Sequence, residues 1–479
     1  MSDYPRDMIG YAGNPPLADW PGGARIAVQF VINYEEGAEN NILHGDAASE
    51  AFLSEIVGAQ PWPGQRHMNM ESIYEYGSRV GFWRLRDLFA ARGMQVTVFG
   101  VANALARNPD AVAAMLQADW EIASHGLKWI DYKDFTAADE RTHMQQAVRI
   151  HEQVTGARPL GFYQGRTSEH TLTLTIEDGG FLYSADSYAD DLPYWLDNGT
   201  SQQLIVPYTL DANDMRFATA QGFNSGDQFF SYLRDSFDQL HDEGARHPKL
   251  LSIGLHCRLT GRPGRAAALA RFLDHVQRHD AVWVTTRLDV ARHWIARHPP
   301  AGGYKPSRMG RALFTEVYGG IFEHTPAIAE RTHATGLSKA HDTAEGLHEA
   351  LAATMRSMTA DEHLALIRAH PDLAGRLAQA KALTEDSTRE QAASGLDRLT
   401  AEELRQFTEW NEAYRARFGF PFIMAVKGAD KPDIAAGFRR RLTQTPEAEF
   451  NEALSQIERI ALLRLRDRLP SRNATAQNG

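Results

Sequence analysis

From about Ala24 to Trp294, short β-rich runs alternate with amphipathic stretches of helical period, and this alternation constrains the fold more than any other feature. Strand and helix in alternation imply parallel strands joined by helical crossovers, the pattern of a β/α fold. The strands so predicted are Arg25 to Asn33, Gln95 to Gly100, Trp120 to Ser124, Pro159 to Tyr163, Leu204 to Pro207, Leu250 to Leu255 and Val282 to Thr285. Helices are expected over Tyr74 to Arg92, Ala137 to Val154, Asp227 to Asp242 and Arg265 to Arg278, with Gly93 and Gly156 closing two of them. The alternation stops at His298-Pro299-Pro300-Ala301-Gly302-Gly303, a proline and glycine break. Beyond it, Ser307 to Leu469 reads as helix throughout, with Thr359 and Thr400 standing as N-caps before acidic first turns. A chain of 479 residues also exceeds what one core usually serves. The expected class is therefore α/β then all-α, a distorted (β/α) barrel over 1–298, a linker over 299–306, a helical domain over 307–469 and a disordered tail over 470–479.

A net charge of −11 with no long basic stripe disfavours a nucleic-acid partner. No run approaches the roughly 18 apolar residues of a membrane span, and no basic-then-apolar leader is seen, so a soluble cytoplasmic protein is expected. The terminal Ala-Gln-Asn-Gly is not a peroxisomal address. A single cysteine, Cys257, rules out an intrachain disulfide and fits a reducing compartment. Its position after a strand reads as a small buried residue in preference to a catalytic thiol.

In a parallel β/α barrel the reaction site is built at the C-terminal ends of several strands. Four predicted strands end in polar groups: one in Asn33-Tyr34-Glu35-Glu36-Gly37, one in Ser124-His125-Gly126, one leading into Gly165-Arg166-Thr167, and one in His256. Two carboxylates, two imidazoles and one guanidinium would share one mouth. Taken singly, each has an ordinary structural reading, as a turn carboxylate, a satisfied histidine or a surface arginine. Their recurrence at one geometric end of successive strands favours catalysis.

These residues, in this order, resemble the polysaccharide deacetylase superfamily, whose members pair Thr-Phe-Asp-Asp-Gly with a His-x-x-x-His metal motif. The chain departs from that pattern twice: the first motif is Asn33-Tyr34-Glu35-Glu36-Gly37, and Trp129 stands four residues after His125, where no metal ligand then exists. Both departures are shared by the deacetylase-like allantoinases. Their pattern is similar over Asp7 to Gly13, Glu75-Tyr76-Gly77-Ser78-Arg79-Val80-Gly81-Phe82-Trp83-Arg84, Trp129-Ile130-Asp131-Tyr132 and Ser184 to Tyr194, within a span from Tyr4 to Ala296. The resemblance implies metal-free opening of the allantoin ring to allantoate. Glu35 or Glu36 would activate water, and Arg166 with His125 or His256 would hold the substrate carbonyls and supply positive charge. No metal and no cofactor is expected.

Four clusters mark the helical half: His370-Pro371-Asp372-Leu373, Leu383 to Gln391, Phe418-Gly419-Phe420-Pro421-Phe422-Ile423, and Ile457-Glu458-Arg459-Ile460-Ala461. Each can be read as a cap or a bundle seal. Together, with Gly319-Gly320-Ile321-Phe322-Glu323-His324-Thr325-Pro326, they resemble 2-oxo-4-hydroxy-4-carboxy-5-ureidoimidazoline (OHCU) decarboxylase, over Ala312 to Leu469. Thr325-Pro326-Ala327 departs from the Ser-Pro-Trp more usual there. The resemblance implies cofactor-free decarboxylation to (S)-allantoin, with His370 as acid and Glu390 orienting it or the substrate. Pro371, Ser387, Thr388, Arg389, Gln391 and the loop Ile423, Met424, Ala425, Val426, Lys427 would form the pocket. Arg464, or alternatively Arg441, would stabilise charge. It also implies a homo-oligomer acting on small molecules. The competing reading is a deacetylase-like hydrolase of another cyclic amide or an N-acetyl substrate, with a non-catalytic helical docking or dimerisation domain.

Overall fold

The computed structural model describes residues 6–373, 396 and 399–472. The chain falls into two compact units, Met1–Pro300 and Ala301–Gly479.

The first unit is a curled, mostly parallel sheet flanked by helices. Its strands are β1 (Ile26–Tyr34), β2 (Thr97–Gly100), β3 (Glu121–Ser124), β4 (Gly161–Phe162), β5 (Tyr183–Ser184), β6 (Tyr194–Asp197), β7 (Gln202–Ile205), β8 (Lys249–His256) and β9 (Val282–Val284). They lie in the order β6-β7-β5-β4-β3-β2-β1-β8, and only β6 and β7 pair antiparallel. β1 is buried along its whole length, as a central parallel strand with both faces covered must be. Its register sets Asn33 beside His256, and Tyr34 beside Gly100, which itself pairs with Ser124. The C-terminal ends of β1, β2, β3 and β8 therefore meet at one level. β9 pairs with Ile26 to Val28 at the other end of β1, and the core beneath joins Phe30, Val98, Leu251, Phe89, Phe237 and Phe272.

The flanking helices are α1 (Met68–Tyr76), α2 (Phe82–Ala90), α3 (Ala102–Arg107), α4 (Pro109–Gln117), α5 (Ala137–Thr155), α6 (Thr171–Asp178), α7 (Gly226–Glu243), α8 (Pro263–Gln277) and α9 (Arg287–Arg297). Gly156 closes α5 in the left-handed conformation. The stretch expected as one helix over Tyr74 to Arg92 is helical, within a longer run that starts at Met68, and a π turn at Gly77–Gly81 divides it into α1 and α2. The cause is close approach. A Cβ at Gly77 would lie 2.5 Å from the Glu36 carboxylate, and one at Gly81 would lie 2.0 Å from the Cys257 carbonyl. Two glycines and one widened turn let this helix press on the strand ends, a recurrent use of π turns.

In the second unit no strand occurs among the described residues. Its helices are α10 (Arg311–Tyr318), α11 (Ala327–Ala334), α12 (Ala344–Arg356), α13 (Ala360–Ala369), α14 (Ala401–Phe418), α15 (Lys431–Arg441) and α16 (Pro446–Arg466). Thr359 and Thr400 cap α13 and α14 through full capping boxes with Glu362 and Glu403. The start of the expected tail is docked: Pro470 O accepts from Ala344 N at 3.0 Å, and Arg472 pairs with Glu349 at 2.9 Å. No helix among the described residues is long and apolar enough to cross a membrane.

Candidate active sites

Glu35 follows β1, and the structure gathers around it two of the groups expected at strand ends. Its Oε1 lies 3.3 Å from His125 Nε2 and 3.3 Å from His256 Nε2. Its Oε2 accepts a 2.7 Å hydrogen bond from Arg258 Nη2, a residue the sequence reading passed over. All four side chains are almost wholly buried. Burial alone would push the Glu35 carboxyl up, but Arg258, then His256 and His125, hold it well below the usual range.

His256 is fixed from behind. Its Nδ1 donates to Asp214 Oδ1 at 2.6 Å, and Asp214 Oδ2 also accepts from His256 N, Thr260 N and Thr260 Oγ1. Burial would lower the imidazole's pKa, yet Glu35 and Asp214 together raise it to about 9. At neutral pH His256 is an imidazolium. His125 points its Nδ1 at the Tyr163 carbonyl, 3.1 Å away. A carbonyl only accepts, so that nitrogen carries hydrogen and Nε2 faces Glu35.

Glu36 belongs to the scaffold. Its Oε1 accepts from Arg258 N at 3.1 Å, its Oε2 accepts from Glu35 N at 3.2 Å, and Gly77 packs on the side chain. Burial pushes its pKa up and Arg258 opposes the rise. Of the two carboxylates left open by the sequence, Glu35 is the one that faces both imidazoles.

Trp129 is the floor for both guanidiniums. Arg258 lies 5.0 Å and Arg166 5.2 Å from its ring, with Phe52 stacked at 6.0 Å. Arg166 Nη1 is buried and has no protein hydrogen-bond partner, which leaves a donor for a ligand oxygen. Cys257 is buried with its thiol pushed well above the ordinary value by burial, the structural role expected for it. A cavity of about 700 Å³ lined by Tyr208, Asp211, Met215 and Arg216 adjoins the segment carrying Asp214.

The residues do not fit a deacetylase metal. Arg258 already occupies the Glu35 carboxylate, and Trp129 stands where a ligand would be needed.

In the second unit His370 ends α13 in extended geometry, as a residue before proline must. Its Nδ1 donates to Leu366 O at 2.9 Å. Burial lowers its pKa to about 4, against the pull of Glu323 and with the push of Arg464 and His324. Arg464 Nη1 donates to Glu323 Oε2 at 2.9 Å, and to the Gly320 and Ile321 carbonyls. The motif Gly319 to Pro326 thus supplies Glu323 and His324 within electrostatic reach of His370, and His324 adopts a φ of 48° that non-glycine residues seldom take.

Arg441, the alternative to Arg464, is used otherwise. It is fully buried, donates to Glu449, Tyr414 and the Ile423 carbonyl, and stacks on Phe422. It holds the loop. Ile423, Ala425 and Val426 are buried there, Ala425 N donates to Gln456, and Met424 packs on Gly437. Lys427, which the resemblance places in the pocket, is exposed and paired with Asp467 at 2.5 Å. Pro371 is half-buried next to His370, while Ser387, Thr388, Arg389, Glu390 and Gln391 lie outside the described residues.

Comparison with known proteins agrees with this division. The polysaccharide deacetylase family model matches residues 70–177, and the OHCU decarboxylase model matches residues 307–466. A Schizosaccharomyces pombe protein named as a polysaccharide deacetylase is 40% identical over 61% of this chain and 98% of its own length. The 2-oxo-4-hydroxy-4-carboxy-5-ureidoimidazoline decarboxylase of Haloferax volcanii is 37% identical over 34% of this chain and 94% of its own length. The crystal structure of PuuE allantoinase superposes with a TM-score of 0.61 at 59% identity, covering 62% of this chain and 99% of that one. The chain belongs to the polysaccharide deacetylase family through its first unit and to the OHCU decarboxylase family through its second.

Proposed function

We propose that the chain performs two successive steps of urate breakdown: the second unit decarboxylates OHCU to (S)-allantoin, and the first hydrolyses allantoin to allantoate. The observation that carries the first step is the cluster of Glu35, His125, His256 and Arg258 in a chain so similar to PuuE allantoinase. The second step rests on His370 lying within the electrostatic reach of Glu323 and Arg464 in a decarboxylase-family unit. The product of one step is the substrate of the other, which explains why the two are joined.

Ring opening adds water to a cyclic amide carbonyl and breaks its C–N bond. Glu35, with His125 Nε2 beside it, orients the water and takes its proton. Arg166 donates to the substrate carbonyl oxygens as negative charge develops. His256, held as an imidazolium by Asp214, gives its proton to the departing nitrogen. In the second unit, loss of carbon dioxide leaves an electron pair in the imidazoline ring, and a buried site favours this by stripping water from the carboxylate. His370 is neutral in the free protein. The negative charge of bound substrate raises its proton affinity, so that it can protonate the ring carbon.

Because the folded pKa of His256 lies above the ordinary 6.5, its charge persists until the pH rises through about 9. The stabilisation it contributes is complete below pH 6.5 and is lost over the same rise. A pH profile of kcat/KM for allantoin hydrolysis should therefore fall on its alkaline limb near pH 9. In His256→Gln that limb should disappear along with most of the rate.

The deciding experiment supplies the full chain with freshly generated OHCU, with and without chelator, and follows (S)-allantoin and allantoate. Both should form, and chelation should leave both rates unchanged. Acetate release from chitooligosaccharides without allantoate would overturn the reading, as would chelator-sensitive hydrolysis restored by zinc.

A further inference from the structure

We propose that Asp238, His275 and His279 form a binding site for a borderline-soft divalent cation, with zinc the best match, that clips α7 to α8 at the end of the sheet remote from the catalytic mouth. Among the described residues this is the one group of three metal-ligating side chains whose donor atoms all lie within 4.8 Å of one another.

The spacing follows from helix geometry. His275 and His279 are one turn apart on and just beyond α8, so both imidazoles project from one face, toward α7. Asp238 meets them from α7, with Oδ1 2.7 Å from His275 Nε2 and 3.9 Å from His279 Nε2. The two rings sit 4.5 Å apart, and Phe237 packs against both, which limits their rotation. His279 Nδ1 donates to the His275 carbonyl at 2.9 Å. A carbonyl cannot donate, so Nδ1 carries hydrogen and Nε2 is the atom turned toward Asp238. Metal-binding histidines are oriented in this way, one nitrogen donating to a backbone oxygen and the other ligating.

A fourth ligand is at hand. His241 follows Asp238 by three residues on α7, and its ring lies 5.6 Å from that of His279. In the free protein its Nε2 donates to Asp280 O at 3.0 Å. Either His241 or a water completes a tetrahedron. Two or three imidazoles with one carboxylate select zinc, cobalt or nickel over magnesium and calcium, which prefer all-oxygen shells. The side chains are 20% to 41% exposed, so an ion can enter without unfolding.

The place in the fold points to a structural role. α7 ends just before β8 and α8 just before β9, so the cluster stands at the N-terminal ends of those strands. His256 lies at the far end of β8, about 20 Å away along an eight-residue strand. The cation would fasten the two helices that cover β8 and take no part in the reaction.

The test uses the full chain, stripped with chelator and titrated with zinc by calorimetry and with cobalt(II) by visible absorption. One saturable site per chain is expected, with tetrahedral cobalt bands. At free zinc about 100-fold above Kd, the first unit's melting temperature should rise by about 5 °C. His275→Ala with His279→Ala should weaken binding by about 100-fold or more and abolish the cobalt bands, while allantoin hydrolysis is kept. Asp238→Asn, a near-isosteric change, should weaken binding without disturbing the fold. Absence of saturable binding to the wild-type chain would overturn the proposal, as would unchanged zinc affinity in both variants.

Discussion

Arg258→Met is expected to destabilise the first unit by about 3–5 kcal/mol and to remove allantoin hydrolysis with it. The guanidinium lies between two fully buried carboxylates, bonded to Glu35 at 2.7 Å and to Glu36 at 3.4 Å, and rests on Tyr74 and Trp129. Methionine matches much of the volume but leaves both buried carboxylates without their cation. They would respond by taking up protons. Glu35 would then lose the low pKa that keeps it ionised at neutral pH, and with it the ability to accept hydrogen from water. The double variant Arg258→Met with Glu36→Gln separates the two effects. Removing the second carboxylate's charge should recover part of the lost stability, read as the denaturation midpoint, while hydrolysis stays absent because Glu35 still lacks its partner. Recovery of both together would show that Arg258 only holds the fold.

What the sequence made legible was the layout. Strand ends carrying Glu35, His125 and His256 were found because a strand is a short apolar run and the polar residue after it must emerge at the sheet edge. Arg258 and Asp214 were not found, for different reasons. Arg258 stands two residues beyond a strand end and has a side chain long enough to turn back, which no periodicity reveals. Asp214 sits in a 3-10 turn, Asp214–Ala218, between strands, where an aspartate usually reads as a turn residue. Strands β5 and β6 went unread: β5 is two residues long, and β6 takes its place by antiparallel pairing with β7, a tertiary contact.

The helical unit shows the same divide. Capping boxes at Thr359 and Thr400 are local chemistry and could be read directly. The choice between Arg464 and Arg441 could not, since both sit on amphipathic helices and only tertiary packing distinguishes them. One donates to Glu323, whose charge is felt at His370, and the other to Glu449 and the Ile423 carbonyl. Glu323 and His324 were visible as part of a motif, yet their role depends on where α13 ends, which brings His370 to them.

His370→Ala should lower (S)-allantoin formation from OHCU by about 10²–10⁴-fold while leaving allantoin hydrolysis unchanged. The imidazole is buried, its Nδ1 is committed to Leu366 O, and its pKa of about 4 leaves Nε2 without a proton at neutral pH. A neutral histidine is a poor acid until something nearby favours its charged form, and the anionic substrate supplies that. The free protein therefore keeps the residue ready, and the proton arrives with the ligand. Loss of the ring also removes a bond at the end of α13, so a second substitution is needed to separate helix capping from proton transfer. His370→Asn keeps a donor able to reach Leu366 O but cannot titrate near neutrality. If His370 only terminates the helix, the asparagine variant should recover most of the decarboxylation rate. If it moves the proton, both variants should fail alike, with an unchanged melting temperature in His370→Asn and with allantoin still converted to allantoate by the first unit.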